Sequence, residues 1–427
     1  MTSKELLSII NSGKSAGSLA RLYPSSTPEE ISARYASALS DFEKNFGEGR
    51  EVNIFSVPGR SELSGNHTDH NHGAVIAASI DLDIIAVVSP RTDNKICVIS
   101  RGFTPDNVDI AGYTTPDPTR FGRSDSLIAG MCVGFANQGY AVGGFDAYTT
   151  SNVLGGSGLS SSAAFEVMIG NILNHLYNGG KISNVEIAKI AQFSENKFFG
   201  KPCGLMDQMA CAVGGIIAID FADPASPMIE PIDFDLTSHG YSLCIINTGG
   251  NHADLTPDYA AVPAEMKSVA AELGAAVLRG ADEAEFMTKI PALRQKCGDR
   301  AVLRALHFFE ENKRVAKQKA ALLAGDLDAF FDNVKASGRS SFCYLQNVYT
   351  TKNISEQGLS LALCLAEKVL SGSRAAWRVH GGGFAGTIQA FVPTEKVDEF
   401  KATMDACFGE GACLVLLIRP VGAARVI

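Results

Sequence analysis

The chain has 427 residues, of which 46% are hydrophobic and 19% are charged. This length suits two or three domains with substantial cores, and the composition excludes a small disulfide-stapled peptide and a disordered polar chain. A net charge of −9 without a dense run of Lys and Arg predicts that nucleic acid is not a partner.

We expect neither a membrane segment nor a secretory leader in this sequence. The most apolar long window, 74–88, is interrupted by Asp81 and Asp83, and Glu5 lies where a signal peptide is basic. The ten cysteines form no C-x-x-C pair, so we predict no zinc or redox motif and mostly buried thiols in a reducing cytoplasm. Cys203 is a candidate nucleophile, but a small packing residue is the commoner explanation.

The first half of the chain predicts a helix, then strands, then helices. The first helix is predicted over 28–45. Short β-branched segments bounded by Gly, Pro or Asp predict four strands: 52–57, 74–80, 84–89 and 95–100. Apolar residues at helical spacing predict three more helices, the last opened by a capping box of Ser183 and Glu186: 127–138, 162–176 and 185–199.

The second half mixes strands and helices without strict alternation. The predicted strands are 213–220, 241–247, 375–379, 387–392 and 413–419, and the predicted helical segments are 260–325 and 356–370. This irregular order favours an α+β fold of two halves with mixed sheets. Three prolines interrupt the pattern within 220–231, so we place a domain boundary there, which gives domains of 1–222 and 223–427.

The segment 154–166 combines three glycines with three consecutive serines at the start of a predicted helix. Gly155, Gly156 and Gly158 let the backbone approach a ligand closely, and unpaired amides at a helix start favour an anion. A Ser hydroxyl can also reach the metal ion that neutralises a phosphate. No Gly-Lys-Ser/Thr follows, so the Walker pattern is absent. We favour a phosphate site over the alternative of a flexible turn that only caps a helix.

The segment 58–73, PGRSELSGNHTDHNHG, concentrates charged and imidazole side chains between predicted strands. The spacing of His67, Asp69, His70 and His72 suggests zinc, but neighbouring residues of a strand point to opposite faces and do not converge. We therefore interpret the segment as a binding site for a hydroxylated ligand.

Two further segments carry candidate chemistry. Glu195 and Asp207, on either side of a chain reversal, can serve as metal ligand and base, although solvent-facing carboxylates are the usual explanation for such a pair. The segment 380–386, HGGGFAG, matches G-x-G-x-x-G, but a strand and not a helix is predicted after it. We reject a dinucleotide site and predict a tight loop that abuts a ligand or another loop.

Taken in order, PGRSELSGNHTDHNHG, GGSGLSSSAA, KPCGLMDQ and GGGFAG resemble the motifs of the GHMP small-molecule kinases, and most closely those of the galactokinase family. The resemblance covers nearly the whole chain. It implies a two-domain GHMP-kinase-like fold with the active site in the interdomain cleft. It also implies transfer of the γ-phosphoryl group of ATP to the anomeric hydroxyl of galactose, with Mg²⁺ as cofactor. The implied partners are the sugar and ATP, and we expect a cytoplasmic monomer or weak homodimer.

The resemblance also implies roles for individual residues. Asp207 would take or orient the proton of the anomeric hydroxyl, and Arg60 would stabilise the charged Asp207 and the transferring phosphoryl group. Ser162 and Glu195 would hold magnesium. The remaining roles are nucleotide binding by Gly156, Ser157, Gly158, Leu159, Ser160, Ser161 and Ser162, sugar binding by Asn66, His67, Asp69, Gly204, Asp207 and Tyr259, and a structural glycine-rich loop of Gly381, Gly382 and Gly383.

Three positions depart from the family signature G-R-V-N-L-I-G-E-H-T-D-Y-N, namely Glu62, Asn66 and His70. The family's Glu at the position of Asn66 approaches the C6 end of galactose. A neutral Asn would tolerate a C6 carboxylate that Glu repels, so a galacturonate or other galactose-related 1-kinase is an alternative.

A second alternative is a sensor that binds sugar and ATP without catalysis. The retained acid, base and metal positions disfavour it, because a sensor has no chemical need for them.

The aromatic adenine platform of the family is absent, since the only Trp is Trp377. A third alternative is that the glycines and serines of the motifs only build the fold.

Overall fold

A computed structural model of the chain describes residues 1–13, 15–153, 158–250 and 255–427. Its helices are α1 (Ser3–Asn11), α2 (Ala16–Leu22), α3 (Pro28–Phe46), α4 (Ser124–Asn137), α5 (Ser161–Tyr177), α6 (Asn184–Ser194), α7 (Met206–Val213), α8 (Thr256–Glu272), α9 (Glu283–Cys297), α10 (Asp299–Ala324), α11 (Leu327–Ser340), α12 (Gly358–Leu370) and α13 (Val397–Phe408). Its strands are β1 (Asn53–Ser64), β2 (Ala74–Pro90), β3 (Lys95–Ser100), β4 (Asp106–Asp109), β5 (Phe145–Ser151), β6 (Ile216–Asp220), β7 (Met228–Ile232), β8 (Tyr241–Asn247), β9 (Ala376–Val379), β10 (Thr387–Pro393), β11 (Cys413–Leu416) and β12 (Ala424–Arg425). Two π-helical segments, Glu195–Phe199 and Ser341–Leu345, continue α6 and α11.

The first sheet is built around the long strands β1 and β2. Its strand order is β12-β1-β2-β5-β3-β4, and β6 and β7 extend it beside the first half of β2. Alternate residues of β1 face two different helix layers, because Phe55 and Val57 pack against α4–α7 while Ile54 packs against α1–α3. Helices on both faces explain why β1 is buried after its first residue.

The second sheet has the antiparallel order β11-β8-β10-β9. Helices α12 and α13 cover one face. On the other face, Phe330 and Phe331 of α11 pack against Phe391 of β10. Helices α8, α9 and α10 form a further apolar cluster with each other.

The predicted α+β class and most predicted elements are confirmed, with β3 and β8 beginning and ending at the predicted residues. The predicted break between strands at 81–83 is wrong, because β2 runs through it. Asp81 bonds the Leu417 backbone, and Asp83 pairs with Arg34 and Arg419, so neither charge interrupts the strand.

The division into domains 1–222 and 223–427 stays a prediction. The strands on either side of this boundary, β6 and β7, pair with each other in the first sheet. Among the described residues, no helix is both long and apolar enough to cross a membrane.

Candidate active site

The two residues predicted to be catalytic form an ion pair. Arg60 lies in β1, and Asp207 lies in the first turn of α7. The guanidinium donates from Nε to Asp207 Oδ1 and from Nη2 to Asp207 Oδ2, at 2.8 Å each. Burial by itself would raise the pKa of Asp207, but the charge and hydrogen bonds of Arg60 lower it below its ordinary value. Asp207 is therefore ionised at neutral pH, with 29% of its side chain exposed.

The predicted phosphate loop contacts this pair. The Gly158 carbonyl accepts a hydrogen bond from Arg60 Nη1, and the Leu159 carbonyl accepts one from the Arg60 amide at 3.1 Å. Ser160 has a φ of +60°, and its hydroxyl donates to Asp207 Oδ2 at 2.5 Å. The loop is thus joined to both members of the ion pair.

Helix α5 begins directly after this left-handed residue. Its first turn contains Ser161 and Ser162, and the side chain of the N-cap residue, Ser160, makes no capping hydrogen bond to its first amides. Such a helix start carries partial positive charge and favours an anion. Residues 158–162 therefore come together beside Arg60, while the predicted Gly156 and Ser157 lie outside the described residues.

The predicted metal ligands Ser162 and Glu195 also meet. Ser162 Oγ donates to Glu195 Oε1 at 3.2 Å, and Lys201 Nζ lies 3.0 Å from the same oxygen. Gln208 Nε2 donates to Glu195 Oε2 at 2.6 Å. Hydroxyl and carboxylate oxygens are the donors that Mg²⁺ prefers. In the described part of the chain, no group of three or more His, Cys, Asp and Glu side chains is arranged to hold a metal ion.

A second buried carboxyl, which the sequence analysis missed, lies next to Glu195. Glu166 is fully buried and accepts from Gln208 Nε2 at 3.2 Å. Burial, and then the charge of Glu195, raises the pKa of Glu166 well above its ordinary value. Gln208 therefore bridges an uncharged carboxyl and a carboxylate. The available signal was the helical spacing of four that places Glu166 one turn after Ser162.

Cys203 agrees with its interpretation as a packing residue. Its sulfur lies 3.6 Å from Gln208 Nε2. Burial, and then the charge of Glu195, raises the pKa of its thiol, so the thiolate that a nucleophile requires is disfavoured.

The segment 65–73 is a turn, and the strand assumed in the argument about zinc is wrong. Gly65 and His67 have φ values of +93° and +57°, and Asp69–Asn71 form a 3₁₀ helix. The Thr68 hydroxyl donates to the carbonyls of Gly65 and Ala74, at 2.9 and 2.7 Å, and closes the turn. Among the described residues, His67, Asp69, His70 and His72 are not part of any group of three or more side chains arranged to hold a metal ion.

Internal hydrogen bonds occupy the amide of Asn66, which is fully buried. Its Nδ2 donates to the Gly381 carbonyl at 2.6 Å and to Glu62 Oε1 at 3.3 Å. Its Oδ1 accepts from Asn347 Nδ2 at 2.9 Å and from Ser341 Oγ at 3.2 Å. The structure brings Asn66 to the glycine-rich loop with all its amide positions in use, and its sugar contact stays a prediction.

Glu62, another departure from the signature, is neutralised inside the protein. Arg378 of β9 donates from Nη2 to Glu62 Oε1 at 2.7 Å and to the Glu62 carbonyl at 2.8 Å. Both side chains are buried. The family signature has a carboxylate at the position of Asn66. In this chain the carboxylate lies four residues earlier, at Glu62, where it is paired with Arg378.

The third departure from the signature, His70, determines which ring nitrogen of His67 carries the hydrogen. Asn71 Nδ2 donates to His70 Nδ1 at 2.9 Å, so the hydrogen of His70 is on Nε2, which faces His67 Nδ1 at 3.2 Å. His67 then donates from Nε2 to the Gly382 carbonyl at 2.9 Å. Burial lowers the pKa of both imidazoles, so this chain of donors is uncharged.

Asp69 lies against Gly204, near enough to Asp207 and Arg60 for their charges to act on it. A Cβ at Gly204 would lie 1.7 Å from Asp69 Oδ2, so only glycine leaves room for this carboxylate. Asp69 Oδ1 accepts from the His70 amide at 2.8 Å. Burial, and then the charges of Asp207 and Glu62, raises the pKa of Asp69 to about 7. Asp69 is therefore a carboxyl that changes charge near neutral pH.

The glycine-rich loop lies against the predicted sugar-binding segment. The carbonyls of its three glycines all accept from side chains: Gly381 accepts from Asn66, Gly382 from His67 and Asn347, and Gly383 from Tyr259 at 2.9 Å. The predicted strand after the loop is confirmed as β10. The loop therefore joins the segment 65–73 to the second sheet. The site contacts of His380, Arg378 and Lys201 are those that sequence patterns did not reveal.

The fold and this site define a small-molecule kinase of the GHMP class. A phosphate loop at a helix start adjoins an ionised carboxylate and a serine–glutamate pair. The family model "GHMP kinases N terminal domain" matches residues 126–215. A crystal structure of a mevalonate kinase shares the fold with a TM-score of 0.60 at 15% identity, covering 86% of this chain and 98% of that chain.

Further similarities narrow this class. The family model "Galactokinase galactose-binding signature" matches residues 40–90. Galactokinase from Clostridium acetobutylicum is 31% identical over 380 residues, which cover 87% of this chain and 93% of the relative. The crystal structure of Lactococcus lactis galactokinase complexed with galactose matches with a TM-score of 0.77 at 26% identity, over 91% of this chain and 99% of that chain. The chain belongs to the galactokinase family and is a kinase, a phosphotransferase with an alcohol acceptor.

Proposed function

We propose that the chain transfers the γ-phosphoryl group of ATP to the anomeric hydroxyl of galactose and releases galactose 1-phosphate and ADP. The observation that carries this proposal is the bidentate Arg60–Asp207 pair beside the phosphate loop. A carboxylate that is kept ionised at such a loop suits the acceptance of a hydroxyl proton during phosphoryl transfer.

Arg60 and Asp207 have distinct roles in this proposal. Asp207 accepts or orients the proton of the anomeric hydroxyl, a contribution of about 10²–10⁴-fold in rate. Arg60 holds both oxygens of Asp207 and, through Nη1, the Gly158 carbonyl. Burial lowers the pKa of Arg60, but the charge of Asp207 outweighs this and leaves it raised, so the guanidinium keeps its charge for the phosphoryl group.

The phosphates of ATP are proposed to lie at the start of α5, on Gly156, Ser157, Gly158, Leu159, Ser160, Ser161 and Ser162. The uncapped amides of α5 and the adjacent guanidinium support this placement for the described members of the set.

The oxygen donors of Ser162 and Glu195 fit Mg²⁺. They are hard ligands at hydrogen-bond distance from each other, and Mg²⁺ is commonly held by one or two carboxylates with phosphate and water. Lys201, whose side chain is 59% exposed, already balances the charge of Glu195 in this structure. When bound, Mg²⁺ would neutralise charge on the phosphate oxygens.

Galactose is proposed to contact Asn66, His67, Asp69, Gly204 and Tyr259 as well as Asp207. Support is strongest for Asp69, whose Oδ2 lies against the Gly204 backbone near Asp207. His67 and Asn66 have their polar atoms bonded internally, so their contribution is to shape the pocket. The galacturonate alternative rests on the neutral side chain of Asn66. It is compatible with Glu62, because Arg378 balances the negative charge of that carboxylate.

The test is the release of ADP from ATP and Mg²⁺ with galactose, galacturonate, N-acetylgalactosamine, arabinose, glucose and mevalonate as acceptors. We expect the highest kcat/KM for galactose. The highest value for galacturonate would mean that the altered signature has redirected the site. Binding of sugar and ATP without release of ADP would instead identify a sensor.

We further propose a cytoplasmic enzyme that is a monomer or weak homodimer and has no nucleic-acid or membrane partner. All ten cysteines are free thiols in the structure, which suits a reducing compartment. Size-exclusion chromatography with light scattering tests the oligomeric state.

A further inference from the structure

His380 joins three segments of the site and has no role in the mechanism proposed above. It precedes the three glycines of the loop and is 2% exposed. Its Nε2 lies 3.1 Å from Ser61 Oγ and 3.4 Å from the Glu62 amide nitrogen. Its Nδ1 lies 2.9 Å from Thr387 Oγ1. Since Ser61 and Glu62 directly follow Arg60, the ring connects β10 to the strand that carries Arg60.

The partners of His380 determine where its ring hydrogen lies. The Glu62 amide can only donate, so Nε2 is an acceptor. Ser61 Oγ accepts from Gln389 Nε2 at 2.8 Å, which leaves its own hydrogen for the same ring nitrogen. Nδ1 therefore carries the ring hydrogen and donates it to Thr387 Oγ1.

A single uncharged form of the ring satisfies this geometry. Burial, and then the nearby charges of Arg60 and Arg378, lowers the pKa of His380 well below its ordinary value. A protonated ring would also direct a second N–H toward the donor of the Glu62 amide. The ring thus has one accepting edge and one donating edge in fixed directions.

The donating edge abuts the phosphate loop. A Cβ on Gly158 would lie 3.0 Å from Thr387 Oγ1 and 3.3 Å from His380 Nδ1. The Gly158 backbone therefore rests on the hydrogen bond between His380 and Thr387. From the other side, Arg60 Nη1 donates to the Gly158 carbonyl. The loop is held between Arg60 and the His380–Thr387 pair.

We propose that His380 is a positioning residue for phosphoryl transfer, which sets the distance between Gly158 of the phosphate loop and the strand that carries Arg60. This inference rests on the proposed function. Because groups in line for transfer are sensitive to small displacements, release of the donating edge, on which Gly158 rests, raises the KM for ATP more than the KM for the sugar. The proposed sugar contacts depend on the turn of 65–73, which has closing hydrogen bonds of its own and contacts the glycine-rich loop through the backbone carbonyls of Gly381 and Gly382.

Two substitutions separate the edges of the ring. In His380→Gln the side-chain oxygen can replace Nε2 as acceptor, but the donor to Thr387 is lost. In His380→Asn the side-chain amide can replace Nδ1 as donor and keeps the bond to Thr387. His239→Gln is the matched control, because His239 is exposed and stacks on Phe234 at 4.6 Å in a different part of the chain. For each variant, kcat, both KM values and Tm are measured.

We expect His380→Gln to raise the KM for ATP about tenfold and to change the KM for galactose less than about twofold. His380→Asn and His239→Gln are expected to keep the KM for ATP within about threefold of the unaltered chain. An unchanged KM for ATP in His380→Gln would overturn the proposal. Equal increases in both KM values, or a lowered Tm with unchanged kinetic constants, would indicate a merely structural role and would also overturn it.

A second variant and a second readout keep the test decisive. Thr387→Val removes the acceptor of the ring while preserving side-chain shape, and it replaces His380→Gln if that variant does not fold. If the unaltered chain turns over no sugar, the proposed function fails, and the dissociation constant of a fluorescent ATP analogue becomes the readout. A roughly tenfold weaker affinity in Thr387→Val or His380→Gln would still support the positioning role, and an unchanged affinity would refute it.

Discussion

Two of the arginine–aspartate pairs at the first sheet differ in how completely the aspartate is enclosed. Asp83 in β2 is 0% exposed and meets two arginines, Arg34 at 2.6 Å and Arg419 at 3.3 Å. Asp207 meets one arginine, Arg60, and keeps 29% of its side chain exposed. The chemistry of the two carboxylates is the same, but only Asp207 has a side that a substrate can reach.

We propose that this difference separates an architectural pair from a catalytic one. Arg34 comes from α3 and Arg419 from the segment after β11, so the Asp83 pair ties the two ends of the chain to the sheet. The Arg60–Asp207 pair instead contacts the phosphate loop through Gly158 and Ser160. The fully enclosed carboxylate of Asp83 stabilises the fold. The partly exposed carboxylate of Asp207 has an ionised oxygen that can accept a proton from a substrate hydroxyl.

Removing the carboxylate of Asp207, the proposed catalytic group, is expected to have the largest effect. Asp207→Asn should lower kcat by about 10²–10⁴-fold, because the amide cannot accept the hydroxyl proton. The amide oxygen keeps one of the two hydrogen bonds of Arg60 and the amide nitrogen loses the other, so Tm should fall, but less than on loss of the enclosed Asp83 carboxylate. The measurement is steady-state ADP release with galactose, alongside thermal unfolding. Activity within tenfold of the unaltered chain would contradict the role of Asp207.

Removing the architectural carboxylate should have the opposite pattern. Asp83→Asn should destabilise the fold by about 3–5 kcal/mol, because Arg34 and Arg419 lose their buried counter-charge. The kcat of the folded fraction should be unchanged. Chemical denaturation followed by the same ADP assay checks both statements. Full stability with lost activity would show that the two pairs have been assigned the wrong way round.

The pH dependence of the KM for galactose tests the role of Asp69, which lies near the exposed side of Asp207. Burial and the charge of Asp207 raise the pKa of Asp69 to about 7, so the ionised carboxylate predominates only above that pH. The KM for galactose should therefore fall about tenfold between pH 6 and pH 8. Asp207→Asn removes a neighbouring charge and should move the midpoint to lower pH. A KM that is flat over this range would show that ionised Asp69 does not bind the sugar.

The smallest effect is expected at a carboxyl that is already uncharged. Glu166→Gln should keep kcat within about threefold, because Glu166 has a raised pKa and exchanges one neutral group for another. Glu195→Gln is the matched comparison, and it should raise the Mg²⁺ concentration for half-maximal rate more than about tenfold. Titration of both variants with Mg²⁺ measures this, and equal Mg²⁺ requirements would contradict the assigned ligand.

The sequence predicted the elements and the local motifs well, since β-branched runs and helical spacing are local signals. The strand break at Asp83 was mispredicted because its partners, Arg34 and Arg419, come from distant segments. The turn at 65–73 depends on the left-handed His67, which no periodicity reveals.

The contacts that connect the site to the second sheet could not be predicted from the sequence either. Glu62 and Arg378 lie 316 residues apart in the chain, and His380 lies 319 residues from Ser61. Motifs identify which residue types serve the chemistry, but contacts of this sequence separation are decided by the packing of the second sheet against β1.

The position of the phosphoryl group in the product tests the central claim most directly. Galactose is converted with ATP and Mg²⁺, and the product is examined by ³¹P NMR and by an assay for reducing sugar. If Asp207 faces the anomeric hydroxyl, the phosphorus couples to the anomeric proton and the product has no reducing end. A phosphorylated sugar that still reduces would contradict this account, because another hydroxyl would then be the acceptor.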